Sequence, residues 1–194
     1  MSDADVIVVG FGFAGGITAI EAADAGAKVI LLEKMPDPGG ISVCSAGGIR
    51  VAKDAKKALA YLVATNGGTT PTPVLKALAD GMTDVGAYMK RLGNAAGAVV
   101  AERPAEGNYP FEGYDTFGFS NVDDIPGVDL ARTFPHVRGN PAGARMFKVV
   151  LDNVMKRPID VRLNTPVRRL VREGDKVVGV ETDKGRLRAR SEEH

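Results

Sequence analysis

The sequence has one cysteine and no tryptophan among its 194 residues. A single cysteine, Cys44, excludes an internal disulfide and a metal cluster built from several cysteines of this chain. No metal site is predicted. The same composition is compatible with a reducing cytoplasm, and we expect a cytoplasmic location.

An excess of either charge is also absent, because 25 lysine and arginine residues stand against 24 acidic ones and the net charge is +1. This balance argues against a nucleic-acid or membrane-surface binder and favours a small-molecule ligand. The most apolar stretch, residues 6–20, is bounded by Asp5 and Glu21 and is shorter than the roughly 20 residues that span a bilayer. We therefore expect it in a buried core, and the acidic start of the chain does not predict a secretory signal.

A strand, a glycine-rich turn, a helix and a second strand follow one another near the start of the chain. Val6–Val9 is a β-branched run typical of a strand buried on both faces. Ala14–Ala25 is rich in alanine and lacks proline, which predicts a helix, and Gly26 is placed to end it in a left-handed turn. Lys28–Glu33 predicts the next strand. The order predicts a βαβ unit with a right-handed crossover.

Downstream patterns predict further helices, one strand and a small antiparallel meander. The expected elements are helices at Asp54–Ala64, Pro73–Leu92 and Pro141–Lys156, a strand at Ile159–Leu163, and meander strands at Val167–Val171, Lys176–Thr182 and Arg186–Ala189. In the second helix the spacing predicts a buried stripe of Leu75, Leu78, Met82, Val85, Met89 and Leu92. Glycine and proline predict loops at Met35–Gly48 and Asn94–Asn140, and a loop as long as the second is unusual unless it lines a site or contacts something outside this chain.

The turn after the first strand carries the glycine pattern of dinucleotide-binding proteins, Gly10-Phe11-Gly12-Phe13-Ala14-Gly15. Gly10 allows the tight turn, Gly12 lets the backbone approach a pyrophosphate, and Gly15 permits close packing of the helix on the strand. The helix N-terminus then attracts the phosphates through its unpaired amides and its dipole.

Glu33 ends the second strand, where an acidic side chain can accept hydrogen bonds from the ribose of an adenosine. A carboxylate at this place argues against NADP, whose 2′-phosphate would be repelled. Up to this point the residues serve FAD and NAD equally well.

The segment Pro38–Ile49, which reads PGGISVCSAGGI, resembles the flavoprotein family of fumarate reductases, succinate dehydrogenase flavoprotein subunits and 3-ketosteroid dehydrogenases. In that family, a Gly-Gly-x-[Ser/Thr] turn and a [Ser/Ala]-x-Gly-Gly turn wrap the pyrophosphate and ribityl chain of FAD. The similarity continues at Lys156–Val167 and at Val177–Val180, which resemble the family's strand, adenine contact and meander. An NAD-binding domain would leave the two Gly-Gly turns unexplained.

The resemblance implies FAD contacts, most of them from the backbone, with Val167 at the adenine. The cofactor residues that it implies are Gly10, Gly12, Ala14, Gly15, Glu33, Gly40, Ile41, Ser42, Ala46, Gly47, Gly48 and Val167. Where succinate dehydrogenases carry the histidine that is bonded to the flavin, this sequence has Ile41. We therefore expect non-covalent FAD.

The fold implied is an α/β, Rossmann-like FAD-binding domain with a parallel sheet and a small antiparallel meander, incomplete at its C-terminus. Residues 1–194 would form the N-terminal portion of this domain, without the capping domain and the C-terminal FAD segment. The family's substrate-binding and proton-donating residues lie in those further parts, so no catalytic residue is assigned.

The implied function is the FAD-binding portion of an oxidoreductase that transfers a hydride between the flavin and an alkene or alkane of a small-molecule substrate. A dicarboxylate and a ketosteroid are both compatible with the resemblance. The alternative is a truncated, non-catalytic dinucleotide-binding module. In either case we expect the strand Val6–Val9 to lie at an open sheet edge, which favours self-association.

Overall fold

A computed structural model describes residues 2–190 of the chain, which divides into two compact units. The first unit comprises the described parts of Met1–Ser45 and His136–His194, and the second comprises Ala46–Pro135. The strands are β1 (Val6–Val9), β2 (Val29–Leu32), β3 (Gly48–Ala52), β4 (Val99–Pro104), β5 (Phe117–Asp124), β6 (Ile159–Arg162), β7 (Val167–Glu173), β8 (Lys176–Thr182) and β9 (Gly185–Arg188). The α-helices are α1 (Phe13–Asp24), α2 (Ala55–Thr65), α3 (Thr72–Ala95), α4 (Leu130–Thr133) and α5 (Ala142–Met155). Within residues 2–190 none of these helices is long and apolar enough to cross a membrane.

The first unit contains a parallel sheet in the order β1-β2-β6, which confirms the predicted α/β fold. All four residues of β2 are buried, because this strand lies between its two neighbours in the centre of the sheet. Helices α1 and α5 pack against each other so closely that a Cβ on Gly16 would lie 2.4 Å from a methyl carbon of Val150. Gly26 follows α1 with a φ of +87°, as predicted.

The predicted meander is present as the antiparallel sheet β7-β8-β9. Its central strand buries Val178 and Val180. Val180 belongs to a buried cluster with Ile30 and Leu32 of the parallel sheet, so the meander packs on that sheet.

The second unit corrects the prediction of a long loop at Asn94–Asn140, because this segment contains β4, β5 and α4. The antiparallel sheet has the order β3-β5-β4. Its strand β3 begins at Gly48, the last residue of the predicted loop Met35–Gly48. The glycines of this segment predicted a loop, but Gly118 lies within β5. Glycine is needed there because the strands pack closely, and a Cβ at this position would lie 2.7 Å from the carbonyl oxygen of Arg103. Strand pairing over such a distance along the chain leaves no local signal.

Helix α3 confirms the predicted helix but corrects its buried stripe. Leu78, expected in the core, is 48% exposed, and the buried face instead uses Ala79, Gly86 and Gly93 beside Leu75, Met89 and Leu92. A Cβ on Gly93 would lie 2.3 Å from a methyl carbon of Val100 in β4. The helix approaches the sheet through small residues, which an apolar-spacing argument does not count.

Candidate dinucleotide-binding site

The turn between β1 and α1 has the backbone geometry that the glycine pattern predicts. Gly10 has a φ of +94°, in the left-handed region that favours glycine, and its N–H donates to the carbonyl of Leu32 (2.7 Å). Gly15 lies so close to the turn that a Cβ there would be 1.8 Å from the carbonyl oxygen of Gly10. Any larger residue at position 15 would push α1 away from β1.

The N-terminus of α1 is open to a ligand. Its capping residue, Gly12, has no side chain to satisfy the first amides, and the first turn carries no acidic residue. The N–H of Phe13 donates to the Ser42 hydroxyl (3.0 Å), whereas those of Gly12, Ala14 and Gly15 donate to no other described residue. Free amides and the positive end of the helix dipole fit a pyrophosphate, so the described residues fit this part of the cofactor.

Glu33 is 7% exposed and connects two backbone segments at the carboxyl edge of the sheet. One carboxylate oxygen accepts from the N–H of Phe11 (2.8 Å), inside the glycine turn, and the other accepts from the N–H of Met35 (2.9 Å). Each oxygen keeps a second lone pair, which leaves it able to accept a ribose hydroxyl as well. Sequence reasoning predicted the ribose contact but missed the role of Glu33 in holding the phosphate turn.

A cavity of about 180 Å³ lies beside Glu33 and brings three of the predicted residues together. Gly10, Glu33 and Val167 line it, with Val9, Leu32, Lys34, Thr165 and Pro166. The N–H of Thr165 donates to the carbonyl of Glu33 (2.8 Å), which ties the segment before β7 to the end of β2. Lys34, Thr165 and Pro166 were missed by sequence reasoning, although they are direct neighbours of predicted residues.

The first Gly-Gly turn packs against the glycine turn after β1. Gly39 donates its N–H to the carbonyl of Phe11 (2.7 Å), and a short 3-10 helix, Gly40–Cys44, follows. It places the Ser42 hydroxyl beside Gly12, where a Cβ would lie 3.0 Å away. Ile41 is 85% exposed. Gly40 also lines a separate cavity of about 320 Å³ with Met35, Pro36, Asp37 and His136.

The second Gly-Gly turn belongs to the other compact unit. Ala46 begins that unit, Gly47 is buried with a φ of +68°, and Gly48 begins β3 opposite Asn121. These three residues therefore share a unit with one another but not with the other predicted contacts.

Comparison with known proteins identifies the class to which this geometry belongs. The family model described as "FAD binding domain" matches residues 5–193. The chain is 34% identical over 162 residues to a fumarate reductase (cytochrome) of Shewanella frigidimarina, covering 83% of this chain and 26% of that protein. It is 29% identical over 188 residues to the NADH:fumarate oxidoreductase of Klebsiella pneumoniae, covering 91% of this chain and 18% of that protein.

The fold is also that of a solved steroid dehydrogenase. The structure of a 3-ketosteroid-Δ4-(5α)-dehydrogenase from Rhodococcus jostii RHA1, in complex with 4-androstene-3,17-dione, aligns with a TM-score of 0.77 at 20% identity. The alignment covers 98% of this chain and 45% of that one. The chain thus spans less than half the length of each of these proteins.

Proposed function

The chain belongs to the FAD binding domain family, and from this premise we propose that it serves an oxidoreductase that moves a hydride between the flavin and an alkene or alkane substrate. FAD is the cofactor, as the family and the fumarate reductase relatives indicate. In this proposal residues 1–194 are the N-terminal portion of the FAD-binding domain. The flavin supplies the hydride chemistry, and the residues of this chain bind and orient it.

The observation that carries the proposal is the open N-terminus of α1 beside Glu33. Three unpaired amides at Gly12, Ala14 and Gly15 would hold the pyrophosphate, and the buried carboxylate of Glu33 would accept from the adenosine ribose. The cavity at Val167 adjoins Glu33 on the side where the adenine would continue.

In this proposal the remaining predicted contacts would lie toward the flavin end of the cofactor. Gly40, Ile41 and Ser42 would contact the pyrophosphate and ribityl chain, which is supported by the Ser42 hydroxyl lying against the phosphate turn. Ala46, Gly47 and Gly48 would offer backbone groups near the isoalloxazine.

Non-covalent attachment of the flavin is supported by Ile41. Its aliphatic side chain has no nucleophilic atom, so it cannot form the bond that a histidine forms. Precipitation with acid should therefore release all of the flavin into the supernatant, whereas yellow colour retained in the pellet would contradict this part of the proposal.

The substrate of the whole protein is proposed as a small molecule, either a fumarate-like dicarboxylate or a ketosteroid. Two of the relatives are named for fumarate, and the solved structure holds a ketosteroid. A cytoplasmic location is proposed because the chain has one cysteine and needs no oxidising compartment. Cell fractionation would test it.

The experiment that tests FAD binding is the visible spectrum of the purified chain after FAD is added and the sample is desalted. We expect flavin bands with the unchanged chain and none with Gly12→Val, because a branched side chain would cover the α1 amides and displace Ser42. Gly81→Val is the matched control, since Gly81 lies in α3 with nothing within 4 Å of its Cβ position. Flavin retained by Gly12→Val would refute the pyrophosphate site.

A further inference from the structure

A second cavity, independent of the dinucleotide site, lies wholly within the second compact unit. Its volume is about 420 Å³, within the range of small-molecule sites, and its walls include Arg50, Tyr61, Asn108, Tyr109 and Phe117. All of these residues belong to the unit Ala46–Pro135. None of the predicted FAD contacts lines it.

Arg50 is held in place by neutral groups. Its guanidinium lies 4.4 Å from the centroid of the Phe117 ring and 5.5 Å from that of Phe119, and it donates to the side-chain amide oxygen (Oδ1) of Asn108. Among residues 2–190 no carboxylate forms an ion pair with Arg50, and no Asp or Glu lines the cavity. The two rings and the Asn108 side chain thus orient a cation that has no carboxylate partner among the described residues.

The hydrogen-bonding groups of the cavity are donors in excess. Arg50 donates one N–H to the side-chain oxygen of Asn108. The side-chain nitrogen of Asn108 already donates to the backbone carbonyl of Tyr114 (2.9 Å). The Tyr61 oxygen accepts from the N–H of Tyr109 (3.1 Å), so its own proton remains to be donated. A ligand here must bring acceptors, and beside an unpaired arginine these acceptors are best negatively charged.

The rest of the cavity wall is apolar and aromatic. Phe117 is 2% exposed and Tyr61 is 8% exposed, with their ring centroids 5.0 Å apart, so the two rings are fixed by packing. Tyr109, 69% exposed, stands at the same cavity. The exposed ring of Tyr109 beside a planar guanidinium complements a flat ligand body with a terminal carboxylate.

We propose that this cavity binds a small planar carboxylate, which Arg50 holds in a bidentate pair while the exposed ring of Tyr109 contacts its flat body. The site is additional to the FAD site and does not depend on the function proposed above. Carboxylate binding would explain why an arginine stands at position 50 beside this cavity, which its packing alone does not.

Titration of the full chain with benzoate and with benzamide, followed by ligand-observed NMR, tests the proposal. Benzoate should bind saturably. Benzamide has the same shape without the charge, and its affinity should be lower by a factor of about ten or more. Equal binding of the two compounds, or no saturable binding of benzoate up to its solubility limit, would overturn the proposal. This comparison needs no variant and so does not depend on the folding of one.

Arg50→Gln should weaken benzoate binding about tenfold or more, and Arg50→Lys should restore only part of it, because lysine keeps the charge but loses the fork. Arg91→Gln is the matched control, since Arg91 also stacks on a ring, that of Tyr88 at 4.9 Å, but does not line the cavity. Unchanged affinity in Arg50→Gln would overturn the proposal. Loss of benzoate binding in Gly12→Val would also do so, because it would place the ligand at the flavin site.

Discussion

At the scale of single residues, Glu33 holds the glycine turn and is the proposed acceptor for the ribose. Its carboxylate accepts backbone N–H groups from Phe11 and Met35 and so holds the glycine turn against the end of β2. In the proposal, its remaining lone pairs accept the ribose hydroxyls. Buried charge of this kind is stable only when hydrogen bonds surround it.

Glu33→Gln tests both roles by a minimal change. Glutamine keeps the shape, but its amide nitrogen is a donor, so one of the two backbone N–H groups loses its acceptor. We expect the free energy of unfolding to fall by about 1–3 kcal/mol and FAD affinity to fall with it. Urea unfolding and an FAD titration measure the two effects.

The control for this change is Glu106→Gln, since Glu106 is exposed and lies in the second unit. Its unfolding midpoint should stay within the error of the unchanged chain. If Glu33→Gln also unfolded at the unchanged midpoint, the hydrogen bonds from Phe11 and Met35 would contribute nothing to stability.

At the scale of elements, α3 shows how a helix can pack through its smallest residues. Ala79, Gly86 and Gly93 lie on its buried face, and Lys90 on the same helix pairs with Glu102 of β4 (3.0 Å). The larger Leu78 is left half exposed. The register of α3 on its sheet is therefore set by close backbone approach as well as by apolar area.

Two leucines on α3 test this register with the same substitution. Leu75 is 6% exposed, so Leu75→Ala should leave a cavity and lower the free energy of unfolding by about 2–5 kcal/mol. Leu78 is 48% exposed, so Leu78→Ala should change it by no more than about 0.5 kcal/mol. Thermal or urea unfolding of the two variants gives the comparison. Equal losses in the free energy of unfolding would show that Leu78 contributes to the core as the apolar spacing predicted.

At the scale of the whole molecule, β1 lies at one of the two edges of the parallel sheet. Among the described residues β1 pairs only with β2, and Val9 is 54% exposed. A short contact reduces the open length, because Ala4 forms a parallel bridge with Ala189 and Arg190 donates to the carbonyl of Ala4 (2.9 Å). The remaining edge is the feature behind the predicted self-association, which analytical ultracentrifugation at several concentrations would test.

FAD should stabilise the chain in proportion to its occupancy. At about 100 times its dissociation constant, a ligand that binds only the folded state adds roughly 2.7 kcal/mol, which for a chain of this size raises Tm by about 5–10 °C. Differential scanning fluorimetry with increasing FAD measures the rise, and Gly12→Val should show none. A Tm that does not respond to FAD in the unchanged chain would contradict binding by this portion alone.

Much of the fold and part of the site could be predicted from the sequence, because their signals are local. The alternation of β1, α1 and β2 follows from periodicity, and the left-handed φ of Gly10 follows from the glycine pattern in that context. The meander is bounded by turns with glycine at Gly174 and Gly185, both with positive φ. These features depend on residues close to one another in the chain.

What the sequence by itself determined is therefore the βαβ unit, the glycine turn and the family, since each depends on residue type at short spacing. Only the tertiary structure decided that β3, β5 and β4 form a sheet in a second unit, that Glu33 accepts the N–H of Phe11, and that Arg50 lines a cavity to which the described residues contribute no carboxylate. Each of these joins residues far apart in the chain, and such pairings are selected by the total free energy of packing rather than by any local pattern.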